Sequence, residues 1–569
     1  VKRIAGVVAG IAVLAGGLAP VDARAADASM SVTAEAGRQK VAWGPCPKEG
    51  GQLQLADVEC ASVRVPLDYR NPGGRSISVA INRVKAKVAS GPEHLGTLVV
   101  NPGGPGASGR KLAALVSAGL PNGLGERYDV VGLDPRGVGG SQPSLHCVDP
   151  DAYYRAPRPD AVPQDAAEER TLLDRAKHYA TRCGQQWGWF LPYLTTENSA
   201  RDLDVVREAL GEEKISYLGY SYGTYLGAVY ATLFPDRVDR MVMDSTVDPT
   251  AVWYRANLAQ DRAFERRHHD FLAWTAKNNA VYHLGATPGQ TSEAYYAMRD
   301  RLRSRPAGGV VGPSELDDTF TMAGYSDRLW PELAAAWSAY RRRGDAKPLV
   351  DAFNKHGKTD LEDENGYAVY LGVQCRDAAW PRSWPKWRAD MTRLHHRAPF
   401  MTWPNAWFNA PCLFWPTPGG TPVKVQGAPS LPPTLMIQSR RDAATPYEGA
   451  LTMRRLFPKA RMVVEEGGNH GVSLAGNRCV DARLAAYLAD GTLPARDMTC
   501  AAQAAPRAAA ARKAAAPKAV RRAGTERAGT ERAGTERAGT ERAGTERAGV
   551  KRAGVKRTGA ERLTEVLAG

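Results

Sequence analysis

The sequence predicts an α/β protein: a doubly wound, mostly parallel sheet interrupted by a large inserted cap domain. Two observations carry the prediction. Short apolar runs bounded by turn residues recur in the manner of buried parallel strands, at Thr97 to Val100, Asp129 to Leu133, Ile215 to Leu218, Arg240 to Met243, Thr434 to Ile437 and Arg461 to Val464. Helical patterns follow several of these runs. Ala200 to Leu210 places Leu203, Val206 and Leu210 on one face and ends at Gly211, while Gly223 to Leu233 is apolar nearly throughout and stops before Pro235. Strand and helix in alternation imply a sheet with helices packed on its faces.

Between Met243 and Thr434 the strand rhythm stops and tryptophan becomes frequent: of 13 in the chain, ten lie from Trp253 to Trp415. This segment reads as a cap whose aromatics either line a substrate cleft or form the cap's own core. The expected organisation is an export signal over 1–25, the first part of the sheet domain over 26–245, the cap over 246–430, the rest of the sheet domain over 431–500 and a basic repeat tail over 501–569.

The ends of the chain account for most of its charge. Lys2 and Arg3 precede an apolar run from Ile4 to Leu18 and the small-x-small site Ala23-Arg24-Ala25, the pattern of a signal peptide cut after Ala25. The run is shorter than the roughly 20 apolar residues that span a bilayer, and no later stretch is apolar enough to do so. From Ala501 onward 16 Lys and Arg face 7 Glu, so the tail holds most of the net charge of +15 and the body is nearly balanced. Arg-Ala-Gly-Thr-Glu repeats five times from Arg522 to Glu546. A glycine in every five residues and very few large apolar side chains predict no fixed structure there. The tail reads either as a weak electrostatic attachment to an anionic cell wall or as a repeat expansion without a role. It carries no aromatic residue to stack on bases, which argues against nucleic acid as a partner.

Eight cysteines, Cys46, Cys60, Cys147, Cys183, Cys375, Cys412, Cys479 and Cys500, in an exported chain are consistent with four disulfides. Their spacing leaves the connectivity open, although joining sequence neighbours would close four local loops. No Cys-x-x-Cys or His-Glu-x-x-His spacing suggests a metal site, and no cofactor is expected.

The chemistry is concentrated in four segments. Gly219-Tyr220-Ser221-Tyr222-Gly223 stands between a predicted buried strand and a predicted helix, the setting of a nucleophile elbow. Small neighbours let the chain turn sharply and leave the Ser221 hydroxyl exposed at the carboxyl edge of the sheet. A serine needs a base, and the base an orienting acid. Asp442 and His470, each just beyond a late strand, supply them in the order the α/β-hydrolase fold requires; Asp481 lies after His470 and so in the wrong order. Asn101-Pro-Gly-Gly-Pro-Gly106 follows the first strand, and an amide of Gly103 or Gly104 with that of Tyr222 would form an oxyanion hole. A phosphate loop fits poorly: the Gly-Lys-Ser/Thr ending is absent, and Pro102 and Pro105 remove amide donors.

With these motifs the chain resembles the prolyl and tripeptidyl aminopeptidases, secreted actinobacterial serine peptidases, in the branch with a tripeptidyl-aminopeptidase-like C-terminal region. The resemblance rests on Asn101 to Gly109, Asp129 to Ser141, Ser221 with Tyr-Ala-Thr-Leu-Phe-Pro-Asp-Arg-Val after it, Cys375-Arg-Asp377, and the Asp442 and His470 segments, spanning roughly residues 40 to 500. Asn101 stands where prolyl members usually carry His, which weighs against prolyl specificity. The resemblance implies removal of tripeptides or single residues from free N-termini of peptide substrates through an acyl-enzyme on Ser221. Such an enzyme needs a carboxylate for the substrate's ammonium group, for which Asp377 is the expected residue, with an ion pair to Arg376 as the alternative reading. Asp134 and Arg136 are expected to fix the loop beneath the site. An exported carboxylesterase or lipase using the same triad is the rival activity, and a binding protein that has lost activity is a rival of another class.

Overall fold

In the computed structural model, residues 39–47, 58–88, 91–509, 562–563 and 566–567 are described. The export-signal segment and the Arg-Ala-Gly-Thr-Glu repeats lie outside them. The strands are β1 (Gly44–Pro45), β2 (Val58–Pro66), β3 (Ser76–Val84), β4 (Thr97–Asn101), β5 (Asp129–Leu133), β6 (Ile215–Tyr220), β7 (Val238–Asp244), β8 (Leu435–Ser439), β9 (Arg461–Glu465) and β10 (Met498–Cys500). They form one sheet in the order β1-β2-β3-β5-β4-β6-β7-β8-β9-β10. From β5 to β10 all neighbours run parallel, whereas β1, β2 and β3 add an antiparallel edge. All six predicted runs are strands of the parallel part. β4, β6 and β8 are buried along their whole length, because helices cover both faces of a parallel sheet and leave no solvent side to encode. In β2, by contrast, exposed Ser62 and Arg64 alternate with buried Val63 and Val65.

One face of the sheet packs Leu112, Val116, Leu484 and Leu488 against Leu98, Val130, Leu218 and Val463. On the other face Val99, Val131, Tyr217 and Met241 meet Leu203, Val206, Tyr225 and Val229 from the helices Thr196–Ala209 and Tyr222–Leu233. The chain from β7 to β8 is helical, beginning with the long Tyr254–Lys277 helix. It has a core of its own, centred on Phe271, Leu316, Phe320 and Trp337. Most of its tryptophans serve as core: Trp337, Trp387 and Trp415 are among the most completely buried side chains in the protein.

Each disulfide joins sequence neighbours: Cys46–Cys60, Cys147–Cys183, Cys375–Cys412 and Cys479–Cys500. The first ties β1 to β2, and the last ties the Arg478–Asp490 helix to β10. No helix among the described residues is long and apolar enough to cross a membrane.

The tail departs from expectation at its far end. Arg562, Leu563, Val566 and Leu567 are helical, and Leu563 and Leu567 are buried against the sheet domain. These three apolar residues recur at helical spacing, so this turn has the apolar face that the repeats lack.

Candidate active site

Ser221 follows β6 and caps the Tyr222–Leu233 helix with φ 55° and ψ −127°. That conformation costs an L-residue on the order of 1–3 kcal/mol and persists only where surrounding contacts impose it. Here the Ser221 amide donates to the carbonyl of Asp244 on β7 at 3.0 Å, and the Ser221 carbonyl accepts from the Thr224 amide and hydroxyl. The two flanking glycines are sterically required. A β-carbon at Gly219 would lie 2.4 Å from the Gly223 carbonyl oxygen, and one at Gly223 would lie 2.7 Å from that of Asn101.

Asp442 and His470 stand on the loops after β8 and β9. His470 Nδ1 is 3.0 and 2.9 Å from the two carboxylate oxygens of Asp442, and both side chains are buried. An ionised carboxylate only accepts, so Nδ1 carries the proton and Nε2 is left as the basic lone pair. Asp442 is in turn fixed by the amides of Ala444 and Thr445 on Oδ1 and by the Thr445 hydroxyl on Oδ2. Asp481 is placed elsewhere and accepts from the Leu474 amide.

The histidine loop is anchored from two sides. Asp244, at the end of β7, accepts from the Val472 amide and from the Ser473 amide and hydroxyl, while Ser245 Oγ accepts from Gly471. From the cap, the Tyr325 carbonyl accepts from the His470 amide and the Tyr325 ring meets the imidazole edge-on at 5.4 Å. Burial pushes the Asp244 carboxyl up to about 6 against the pull of its donors. His470 Nε2 is buried without a hydrogen-bond partner among the described residues, and no bond joins it to Ser221. In substrate-free sites this contact is often long and closes in the Michaelis complex.

The glycine loop separates its two expected donors. The Gly103 amide donates to Asn101 Oδ1 at 3.0 Å. Gly104, by contrast, lines the cleft beside Ser221 and Tyr222. The role of Gly103 is close approach: at φ 103°, its Cα faces the elbow so tightly that a β-carbon would lie 2.6 Å from the Tyr220 carbonyl oxygen.

Asp377 does not serve as an open ammonium acceptor, nor does it pair with Arg376. Its carboxylate accepts from the Thr196 amide and hydroxyl at 2.8 and 2.6 Å and from Trp253 Nε1 at 3.3 Å. Thr196 Oγ1 also meets the Tyr222 hydroxyl at 2.8 Å, so Asp377 supports the residue after Ser221. Burial pushes its carboxyl up to about 6. Arg376 turns away to the carbonyls of Pro192 and Pro418. Asp134 accepts from Ser108 and Gly140 and pairs with Arg110, and Arg136 pairs with Asp202, both within the scaffold under the glycine loop.

A cleft of about 550 Å³ lies over Ser221 between the sheet edge and the cap helices. Trp253, Asn257 and Gln374 line it, and of the ten cap-segment tryptophans Trp253 alone does so. Leu567 reaches the same cleft and packs against Gly471, so closely that a β-carbon there would overlap it. Sequence reasoning missed Leu567, although the Leu563-Thr-Glu-Val-Leu567 pattern, the one apolar helical face in the tail, is its signal.

Residues 398–500 match the family model described as TAP-like protein. The chain is 46% identical over 497 residues to a tripeptidyl aminopeptidase of Streptomyces lividans, covering 85% of this chain and 91% of the relative. It is 33% identical over 483 residues to the serine protease Hip1 of Mycobacterium tuberculosis, covering 81% and 91%. It is 31% identical over 475 residues to a carboxylesterase B of the same species, covering 81% and 89%. With this extent of identity on an α/β-hydrolase sheet, the chain belongs to the tripeptidyl aminopeptidase family of serine hydrolases.

Proposed function

We propose that this serine exopeptidase removes tripeptides from the free N-termini of peptides, with Ser221 as nucleophile, His470 as general base and acid, and Asp442 as its orienting carboxylate. The observation that carries the reading is the His470–Asp442 pair, buried and doubly bonded on the loops beyond β8 and β9, beside a serine held at φ 55°. Ser221 Oγ attacks the scissile carbonyl carbon while His470 Nε2 takes its proton. The carbonyl π electrons move to oxygen, which the Gly104 and Tyr222 amides receive. Collapse of the tetrahedral intermediate breaks the C–N bond, and His470 returns the proton to the departing amine. Water then attacks the acyl-enzyme by the same route and releases the tripeptide and Ser221.

The free-amine requirement and the three-residue step draw on the naming of the Streptomyces relative. Action outside the cytoplasm draws on the four disulfides and on the signal pattern of residues 1–25. The test is mass spectrometry of a free-amine peptide and its N-acetylated twin after incubation with the protein, with Ser221→Ala as control. Stepwise loss of tripeptides from the free peptide alone is the expected result. Cleavage of neither peptide, with Ser221-dependent hydrolysis of a short ester, would replace the peptidase reading with an esterase.

A further inference from the structure

His470 stands where its loop passes between the two halves of the protein. Before it, the Gly467 amide donates to Glu465 and the Gly467 carbonyl accepts from the Arg441 amide, both in the sheet domain. After it, the amides of Gly471, Val472 and Ser473 go to Ser245 and Asp244. Between these points the loop's partners belong to the cap. Arg267, on the Tyr254–Lys277 helix, lies so close to Gly468 that a β-carbon there would meet the guanidinium carbon at 2.6 Å. Asn469 and the His470 amide bond to the turn that follows the Pro313–Tyr325 helix and leads into the Trp330–Arg343 helix.

The Asn469 contact is reciprocal. Its Oδ1 accepts from the Asp327 amide at 2.8 Å, and its Nδ2 donates to Asp327 Oδ1 at 3.2 Å. One residue on, the His470 amide donates to the Tyr325 carbonyl at 2.8 Å. The turn that supplies these partners is itself fixed. The Ser326 amide donates to the Met322 carbonyl at 3.1 Å, and the Ser326 hydroxyl accepts from the Arg328 amide at 3.3 Å. The Arg328 guanidinium bonds to the Ala475 carbonyl and to Gln503 Oε1. The accessible rotamers of a side chain depend on its own backbone, so a turn that holds residue 469 and the 470 amide governs where the imidazole points.

We propose that Asp327 and Asn469 are a positioning pair through which the cap aims His470 Nε2 at Ser221. This rests on the triad reading above and deepens it. Asp442 holds Nδ1 and with it the tautomer, whereas Nε2, which has no hydrogen-bond partner among the described residues, takes its distance from Ser221 from the backbone that the cap holds. Tyr325, at the start of the same turn, lines the cleft with Ser221. The wall that a substrate touches and the backbone of the base are therefore bonded together, and seating of the cap is coupled to alignment of the base.

The experiment is an exchange of the two side chains. Asn469→Asp sets two carboxylates against each other where a bond of 3.2 Å now stands, and like charges at that range repel. Adding Asp327→Asn restores the bond with donor and acceptor reversed. Steady-state kcat and KM for a chromogenic tripeptidyl amide are measured in wild type, both single variants and the double variant, below the thermal unfolding transition of each. Asn469→Asp is expected to lower kcat by about tenfold or more, the scale of a half-ångström misplacement at about 100-fold per ångström, with KM within about threefold of wild type. The double variant is expected to recover about fivefold or more of that loss, a coupling that independent sites do not show. A kcat within about threefold of wild type in Asn469→Asp overturns the proposal, since the contact then adds stability alone. A loss that Asp327→Asn does not recover also overturns it, since the new charge then acts on His470 by itself. Should Asn469→Asp not fold, Asn469→Ala, Asp327→Ala and their double are read in its place: losses in kcat that fail to add support the pair, and additive or absent losses overturn it. Activity retained in His470→Ala defeats the triad reading itself. A wild type that hydrolyses only a short ester defeats the peptidase reading, and the same variants read on that ester still decide this one.

Discussion

Gly103→Ala tests how the glycine loop holds the elbow. The added methyl would lie 2.6 Å from the Tyr220 carbonyl oxygen, 2.9 Å from Ser221 Cβ and 2.9 Å from the Tyr222 nitrogen. Ordinary contacts begin near 3.4 Å, so the loop or the elbow must retreat by roughly 0.5–0.8 Å. The elbow cannot yield easily, because β6 is paired on both sides, with β4 and β7. Alanine at φ 103° adds backbone strain of order 1–3 kcal/mol. The displacement falls on the Gly104 and Tyr222 amides, which on the proposed mechanism stand about 2.7–3.1 Å from an oxyanion, and misplacing one such donor costs about 100- to 1000-fold in kcat. The assay is steady-state hydrolysis of a chromogenic tripeptidyl amide, with thermal unfolding measured on the same protein. Gly96→Ala is the control: it too has positive φ, at 78°, but a β-carbon there meets nothing within 4 Å. It should lose about 1 kcal/mol of stability and keep its kcat. A Gly103→Ala enzyme with kcat within threefold of wild type would refute the steric argument.

Asp244→Asn addresses the anchor of the histidine loop through pH. The native carboxyl, at about 6 against 3.8 for an unperturbed aspartate, holds its proton more tightly than in the unfolded chain. Its contribution therefore favours the native state at low pH and is lost as pH rises through about 6. Wild type should lose about 2 kcal/mol relative to Asp244→Asn between pH ~4 and ~6, read from urea midpoints; parallel pH curves would contradict this. Asp377→Ala strands the Thr196 and Trp253 donors and should cost about 3 kcal/mol in stability, while the preference for free-amine over N-acetyl substrate stays as in wild type. A lost preference would return Asp377 to the substrate's ammonium. Ending the chain after residue 509 withdraws Leu567 from the cleft wall, and KM for longer peptides should fall; an unchanged KM would place Leu567 outside the substrate's path.

The sequence by itself determined the parts whose signals are local. Six of the seven parallel strands were legible because burial on both faces makes each a continuous apolar run; the three-residue β10 was not. The elbow was legible because a strained strand-to-helix turn admits only small neighbours at Gly219 and Gly223, and Asp442 and His470 because the sheet presents successive loops at one edge in chain order. β2 and β3 were missed: at an antiparallel edge the apolar residues are diluted by solvent-facing ones. What remained depended on which atoms the folded chain brings together. The family resemblance had implied an ammonium acceptor at Asp377 or its ion pair with Arg376, the glycine motif an oxyanion donor at Gly103 or Gly104, and composition an unstructured tail. The tertiary structure spends Asp377 on Thr196, 181 residues away, spends the Gly103 amide on Asn101, and brings Leu567 to Gly471. Periodicity and turn sterics are properties of a few consecutive residues, whereas a buried polar group takes whichever partner the whole packing places within about 3 Å of it.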